Sequence, residues 1–79
     1  MIDVLFFGPV AERIGKHALQ VDHRQGMSLQ ELRDELAAIY PAAFELVCFV
    51  AANKAHVRDL SLVLADGSEV AFMAKFSGG

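Results

Sequence analysis

The sequence holds a single cysteine, two prolines and no tryptophan among 79 residues. One cysteine cannot form a disulfide within the chain. A structural zinc site takes about four ligands and an iron–sulfur cluster usually four thiolates, so Cys48 cannot build either within this chain. His17, His23 and His56 fall on different expected elements without ligand spacing. They read as surface residues, and no metal site is expected. Cations are also scarce: seven Lys and Arg stand against ten Asp and Glu, for a formal net charge of −3. A nucleic-acid surface needs clustered Lys and Arg to displace counterions from phosphates, and scattered ones do not supply it. The longest apolar run, Leu46 to Ala52, is far short of the ~18 residues that cross a bilayer. Met1-Ile2-Asp3-Val4 has no basic n-region of a signal peptide. The expectation is a cytoplasmic protein with no nucleic-acid and no membrane partner.

What is present is apolar. Hydrophobic residues make up 54% of the chain and mean hydropathy is +0.37, high for a domain with so much surface per volume. A chain of this length buries only about 60–70% of its unfolded surface, so surplus apolar residues are expected at partner interfaces. There is room for one core and little room for a deep cleft. Cys48, inside Leu46-Val47-Cys48-Phe49-Val50, reads as a small buried hydrophobe, with no neighbouring base in the sequence to make it a reactive thiol.

Ile2 to Phe7 is β-branched and aromatic and stops at Gly8-Pro9, which predicts a central strand covered on both faces. Pro9 to Ile14 suits a short helix closed by Gly15. His17 to Asp22 alternates as a half-buried strand does. The clearest element is a helix from Leu29 to Tyr40. Ser28 and Glu31 form a capping box, and Met27 and Leu32 occupy the staple positions across it. Leu29, Leu32, Leu36 and Ile39 then recur as one apolar stripe, ended by Pro41. Val47 to Ala52 and Ala55 to Val57 read as a hairpin around Asn53-Lys54. Arg58 to Ala65 is irregular, Asp66-Gly67 is a turn, and Glu69 to Phe76 is the last strand. This order predicts an α+β roll of the β-grasp type, with a mixed sheet of four to five strands around one main helix. Its domain would span 1–76, with 77–79 as a flexible C-terminal Gly-Gly tail.

That tail carries the chemistry in this reading. Gly averages about 7% of residues, so a terminal pair such as Gly78-Gly79 is uncommon by chance. Without Cβ atoms, the pair can thread a channel too narrow for other residues. Four residues beyond Lys75, fully extended, reach at most ~13–14 Å, enough to place a carboxylate inside a partner. A carboxylate activated as an acyl-adenylate can accept sulfur and become a thiocarboxylate. No side chain of the carrier is required.

Val4-Leu5-Phe6-Phe7-Gly8 with Glu12 and Gly15, then Ala52-Asn53 with Val57, then Leu64 with Asp66-Gly67-Ser68-Glu69-Val70-Ala71-Phe72 leading to Gly78-Gly79, resemble the small subunit of molybdopterin synthase. That family is a β-grasp, ubiquitin-like sulfur carrier, and the resemblance covers essentially the whole chain. It implies that Gly79 is adenylated and then thiocarboxylated, and that Ser77 and Gly78 thread the channel of the large subunit. It also implies that Phe7 and Met73 dock on that subunit; Phe76, by position, could wedge at the channel mouth. Partners implied are the large subunit in a heterotetramer, a ubiquitin-activating-like adenylyltransferase and a sulfur donor protein. The carrier would bind no cofactor, ATP being used by the activating enzyme, and would be inactive alone. Two positions depart from the family: Ala74-Lys75 replaces its usual Pro-Pro, and Ala11 stands where it often has Arg. Prolines would stiffen the exit; here either the strand continues or the tail is looser. Two other readings remain: a carrier for another pathway, such as thiamine thiazole synthesis, and a ubiquitin-like conjugation or interaction module. Phe7, Met73 and Phe76 could also be core. Lys75 could pair with an acidic residue of an activating enzyme or protect a strand edge.

Overall fold

The computed structural model describes residues 1–75. Ser28 starts the main helix as its sequence predicts. The backbone N–H of Glu31 donates to Ser28 Oγ at 3.1 Å, and the Ser28 N–H donates to Glu31 Oε1 at 3.4 Å. Two helix-end donors are thereby satisfied. The helix runs Leu29–Ile39, and Leu29, Leu32 and Leu36 are buried, worth about 2 kcal/mol each in transfer free energy.

Ile39 departs from expectation, being 65% exposed although periodicity places it on the stripe. The chain turns at Tyr40 into a further short helix, Pro41–Phe44, which the sequence reading missed. Pro41 both ends one helix and opens the next, where its missing N–H is harmless. Ala43 and Phe44 of this turn close the core in place of Ile39.

In chain order the elements are β1 (Ile2–Phe6), α1 (Gly8–Ile14), β2 (Ala18–Val21), α2 (Leu29–Ile39), α3 (Pro41–Phe44), β3 (Val47–Ala52), β4 (Ala55–Val57) and β5 (Glu69–Ala74). They build one five-stranded sheet in the order β2-β1-β5-β3-β4. β1 is antiparallel to β2 and parallel to β5, while β3 is antiparallel to β4 and to β5. This is the expected mixed sheet folded around a main helix. Ile2, Val4, Phe6, Val50, Val70, Phe72 and Ala74 join α2 and α3 in the core. At its centre the Phe72 ring lies 6.2 Å from Phe6 and 5.0 Å from Phe44, centroid to centroid, tying β1, β5 and α3 together.

β1 is central, as predicted, but only one of its faces is covered. Asp3 is exposed and Leu5 half-buried; the helices pack on the other side alone. The hairpin turn Asn53-Lys54 takes φ of 51° and 71°, the left-handed pair that a two-residue I′ turn requires. The irregular stretch after β4 is pinned to α2, where the Leu29 and Gln30 N–H groups donate to Leu62 and Leu60 carbonyls at 2.8 and 2.9 Å. No helix is long and apolar enough to cross a membrane among the described residues.

Two stability outcomes follow from this geometry. Ser28→Ala should cost about 1 kcal/mol by loss of the cap, read as a lower midpoint in urea unfolding. Lys54→Gly should stabilise by up to about 1 kcal/mol, because Lys is strained at positive φ and Gly is not; thermal unfolding checks the sign.

Candidate functional site

β5 occupies the middle of the sheet, and its side chains alternate strictly between core and open face. Val70, Phe72 and Ala74 are buried, whereas Glu69, Ala71 and Met73 face outward and are half-covered. Across the sheet Met73 stands opposite Phe49, and Ala71 lies between Leu5 on β1 and Ala51 on β3. Phe7 continues the outward alternation of β1. Its backbone is extended, with φ −128° and ψ 150°, and its N–H donates to the Phe72 carbonyl at 3.4 Å. The next residue, Gly8, turns the chain away at φ +55°, a conformation that favours glycine. Phe7 is left 46% exposed and Phe49 38% exposed.

An uncovered apolar strip therefore runs over Leu5, Phe7, Phe49, Ala71 and Met73. It is polar at its far end, where Gln20 Nε2 donates to Asp3 Oδ1 at 2.8 Å and Glu69 begins β5. The apolar end is the end at which β5 finishes. The structure thus brings Phe7 and Met73 together, and neither is core. Phe49 completes the strip and was not singled out from sequence. Its signal is the antiparallel register of β3 against β5, which a sequence does not display. The His56 ring lies tilted against Phe49, with centroids 5.4 Å apart.

Phe76, Ser77, Gly78 and Gly79 lie outside the described residues. Lys75 is exposed one position after β5. The edge-protecting role considered for it is corrected by the topology: β5 has neighbours on both sides, so no edge is there to protect. Cys48 is also corrected. It is exposed because pairing between β3 and β5 slips by one residue between Val47 and Phe49. Cys48 is the extra residue of that bulge, and bulges re-aim side chains. Without the slip, alternation would have turned it to the core with Val50.

Nothing among the described residues assembles a catalytic kit. No group of three or more His, Cys, Asp or Glu is placed to hold a metal. The three displaced pKa values belong to surface turns and ion pairs. Hydrogen bonding from the Met1 amine holds Asp66 below the usual carboxylate value, the Ser61 hydroxyl does the same for Asp59, and Glu35 raises Arg24. His17 and His56 are exposed, while His23 is half-buried with Nε2 2.9 Å from the Leu64 carbonyl. What the described surface offers is the exposed apolar strip.

Comparison with known proteins identifies the family and the fold. The ThiS family model matches residues 4–79. A search of curated proteins gives no match. Among solved structures, SAMP1 from Haloferax volcanii superposes with a TM-score of 0.83 at 22% identity, covering 99% of this chain and 98% of that one. Urm1 from Trypanosoma brucei gives 0.76 at 24%, covering 99% and 94%. The complex of subunits 1 and 2 of the molybdopterin-converting factor from Helicobacter pylori 26695 gives 0.68 at 24%, covering 99% and 97%. At these identities the structures establish a shared ubiquitin-like β-grasp fold, while the family match spans nearly the whole sequence. The chain belongs to the ThiS family of ubiquitin-like sulfur carriers.

Proposed function

We propose that the Gly79 carboxylate is the reactive group, and that the protein donates sulfur for dithiolene formation in molybdopterin biosynthesis. The observation that carries this reading is the position of Gly78-Gly79 just beyond a central strand, β5, whose open face ends in the uncovered Phe7, Phe49 and Met73. A docking surface beside the chain end lets a partner grip the domain while the last residues reach inward. From Lys75 that reach is at most ~13–14 Å.

The chemistry runs through the terminal acyl carbon. An activating enzyme transfers AMP from ATP to the carboxylate, releasing pyrophosphate. The terminal sulfur of a donor-protein persulfide attacks the acyl carbon, and AMP leaves with the electron pair of the broken acyl–oxygen bond. A second thiol then breaks the S–S bond of the acyl disulfide, forming a disulfide with the donor sulfur and freeing the thiocarboxylate. The thiocarboxylate sulfur attacks the pterin precursor, and water then cleaves the acyl–sulfur bond, leaving the sulfur on the precursor and regenerating the carboxylate. The carrier itself needs no metal and no bound cofactor; ATP belongs to the activating enzyme. The relevant partners are a large subunit, an adenylyltransferase resembling ubiquitin-activating enzymes and a sulfur donor. The complex formed by subunits 1 and 2 of the Helicobacter pylori molybdopterin-converting factor supports the large-subunit partner; in our reading two carriers dock on a large-subunit dimer. The carrier is then a subunit of a sulfurtransferase rather than an enzyme alone.

Incubation with the activating enzyme, ATP and a sulfur source should raise the intact mass by the difference between sulfur and oxygen. Adding the large subunit and cyclic pyranopterin monophosphate should discharge it. Discharge only in a thiazole-forming system would reassign the acceptor, and ladders of heavier lysine adducts would mark a conjugation module. Deletion of Gly79 should abolish charging without changing the unfolding midpoint. Phe7→Asp combined with Met73→Asp should weaken large-subunit binding by roughly tenfold or more, as truncated interface anchors do, while circular dichroism stays that of the parent.

A further inference from the structure

β3 is twice as long as the strand beside it. β4 pairs with Val50, Ala51 and Ala52 only, after which the chain leaves the sheet at Arg58. The outer edge of β3 from Val47 to Phe49 has no described strand against it. An unpaired edge presents main-chain donors and acceptors to an added strand, here at Val47 and Phe49 on either side of the Cys48 bulge. Three residues of edge amount to about 10 Å.

This edge forms one wall of a half-open groove of about 510 Å³. Val50, Val57 and Leu60 give it an apolar part, and Cys48, Phe49 and His56 also line it. Two cations line it from different parts of the chain: Arg33 on α2 and Arg58 just after β4. In a chain of net charge −3, this pairing is the reverse of the average surface.

The arginines are also left over. Among the described residues neither takes part in an ion pair, and the carboxylates next to them in sequence are engaged elsewhere. Asp59 accepts from the Ser61 N–H and hydroxyl at 2.9 and 2.6 Å. Asp34 accepts from Gln30 Nε2 at 2.9 Å. Glu35 receives both guanidinium nitrogens of Arg24 at 3.1 Å. Two uncompensated guanidiniums beside apolar Val50, Val57 and Leu60 and an unpaired strand edge favour an acidic ligand with apolar side chains.

We infer that this groove docks an extended acidic–apolar segment of a partner protein, added to β3 as a short strand with its carboxylates on Arg33 and Arg58. This surface lies on the opposite edge of β3 from β5 and meets the strip around Phe7 and Met73 only at Phe49. It does not depend on the sulfur-carrier chemistry. The strand supplies main-chain hydrogen bonds, alternate apolar side chains fill the apolar part, and charge sets direction and specificity. An interface this small is expected to be weak and transient.

The test uses the full chain, isotope-labelled, titrated with a capped peptide alternating valine and glutamate. The controls are a valine–lysine peptide and a proline-interrupted valine–glutamate peptide. Expected are amide shifts at Val47 to Phe49 and around Arg33, protection of Cys48 from alkylation, and no binding of either control. Arg33→Glu with Arg58→Glu should weaken binding at least about tenfold, as should added salt, with unchanged circular dichroism. The inference is overturned if no shifts occur at millimolar peptide or if they fall on Phe7 and Met73. Equal binding of the proline peptide or of the double charge reversal also overturns it. A chain lacking residues 76–79 that binds the peptide far more tightly would give the groove to the chain's own end instead.

Discussion

Parallel pairing of β1 with β5 is the constraint on which the rest of this structure depends. It joins the first and last strands at the centre of the sheet, so the β5 side chains are shared between core and open face along their whole length. It places Phe72 between Phe6 and Phe44, which locks the strand that precedes the chain end. Parallel pairs need a long crossover, and everything from β2 to β4 lies within that crossover. The terminal residues therefore begin from the most firmly held strand.

The two faces of the sheet then divide the work. One face is filled by α2 and α3 and provides stability. The other is left open, with polar residues at the start of β5 and apolar ones at its finish. Such asymmetry is what a carrier needs if its reagent is a main-chain carboxylate: a stiff body, a grip beside the exit and a short reach. Among the described residues no group of three or more His, Cys, Asp or Glu is placed to hold a metal.

Much of this was readable from residue order. The box of Ser28 and Glu31, the stripe of Leu29, Leu32 and Leu36, and the strands Val47–Ala52 and Ala55–Val57 depend on local patterns and stand where those patterns put them. The departures all have non-local causes. Cys48 is exposed because register with β5 slips by one residue, and no local pattern encodes a slip. Ile39 is exposed because α3 covers the core in its place. β1 is open on one face because both helical layers pack on the other. Lys75 follows a strand that is last in sequence but central in space. Within the site, Phe7 and Met73 were legible through family resemblance. Phe49 was hidden because only pairing brings it beside Met73, while Phe76 to Gly79 rest on the sequence alone.

The central claim is that the terminal carboxylate, and not a side chain, is the reacting group. Semisynthetic protein ending in a Gly79 carboxamide keeps every described residue and removes only that acid. Measured by ATP–pyrophosphate exchange with the activating enzyme, the free acid should support exchange and the amide should support none, although both bind the enzyme equally. Exchange that persists with the amide would contradict the account.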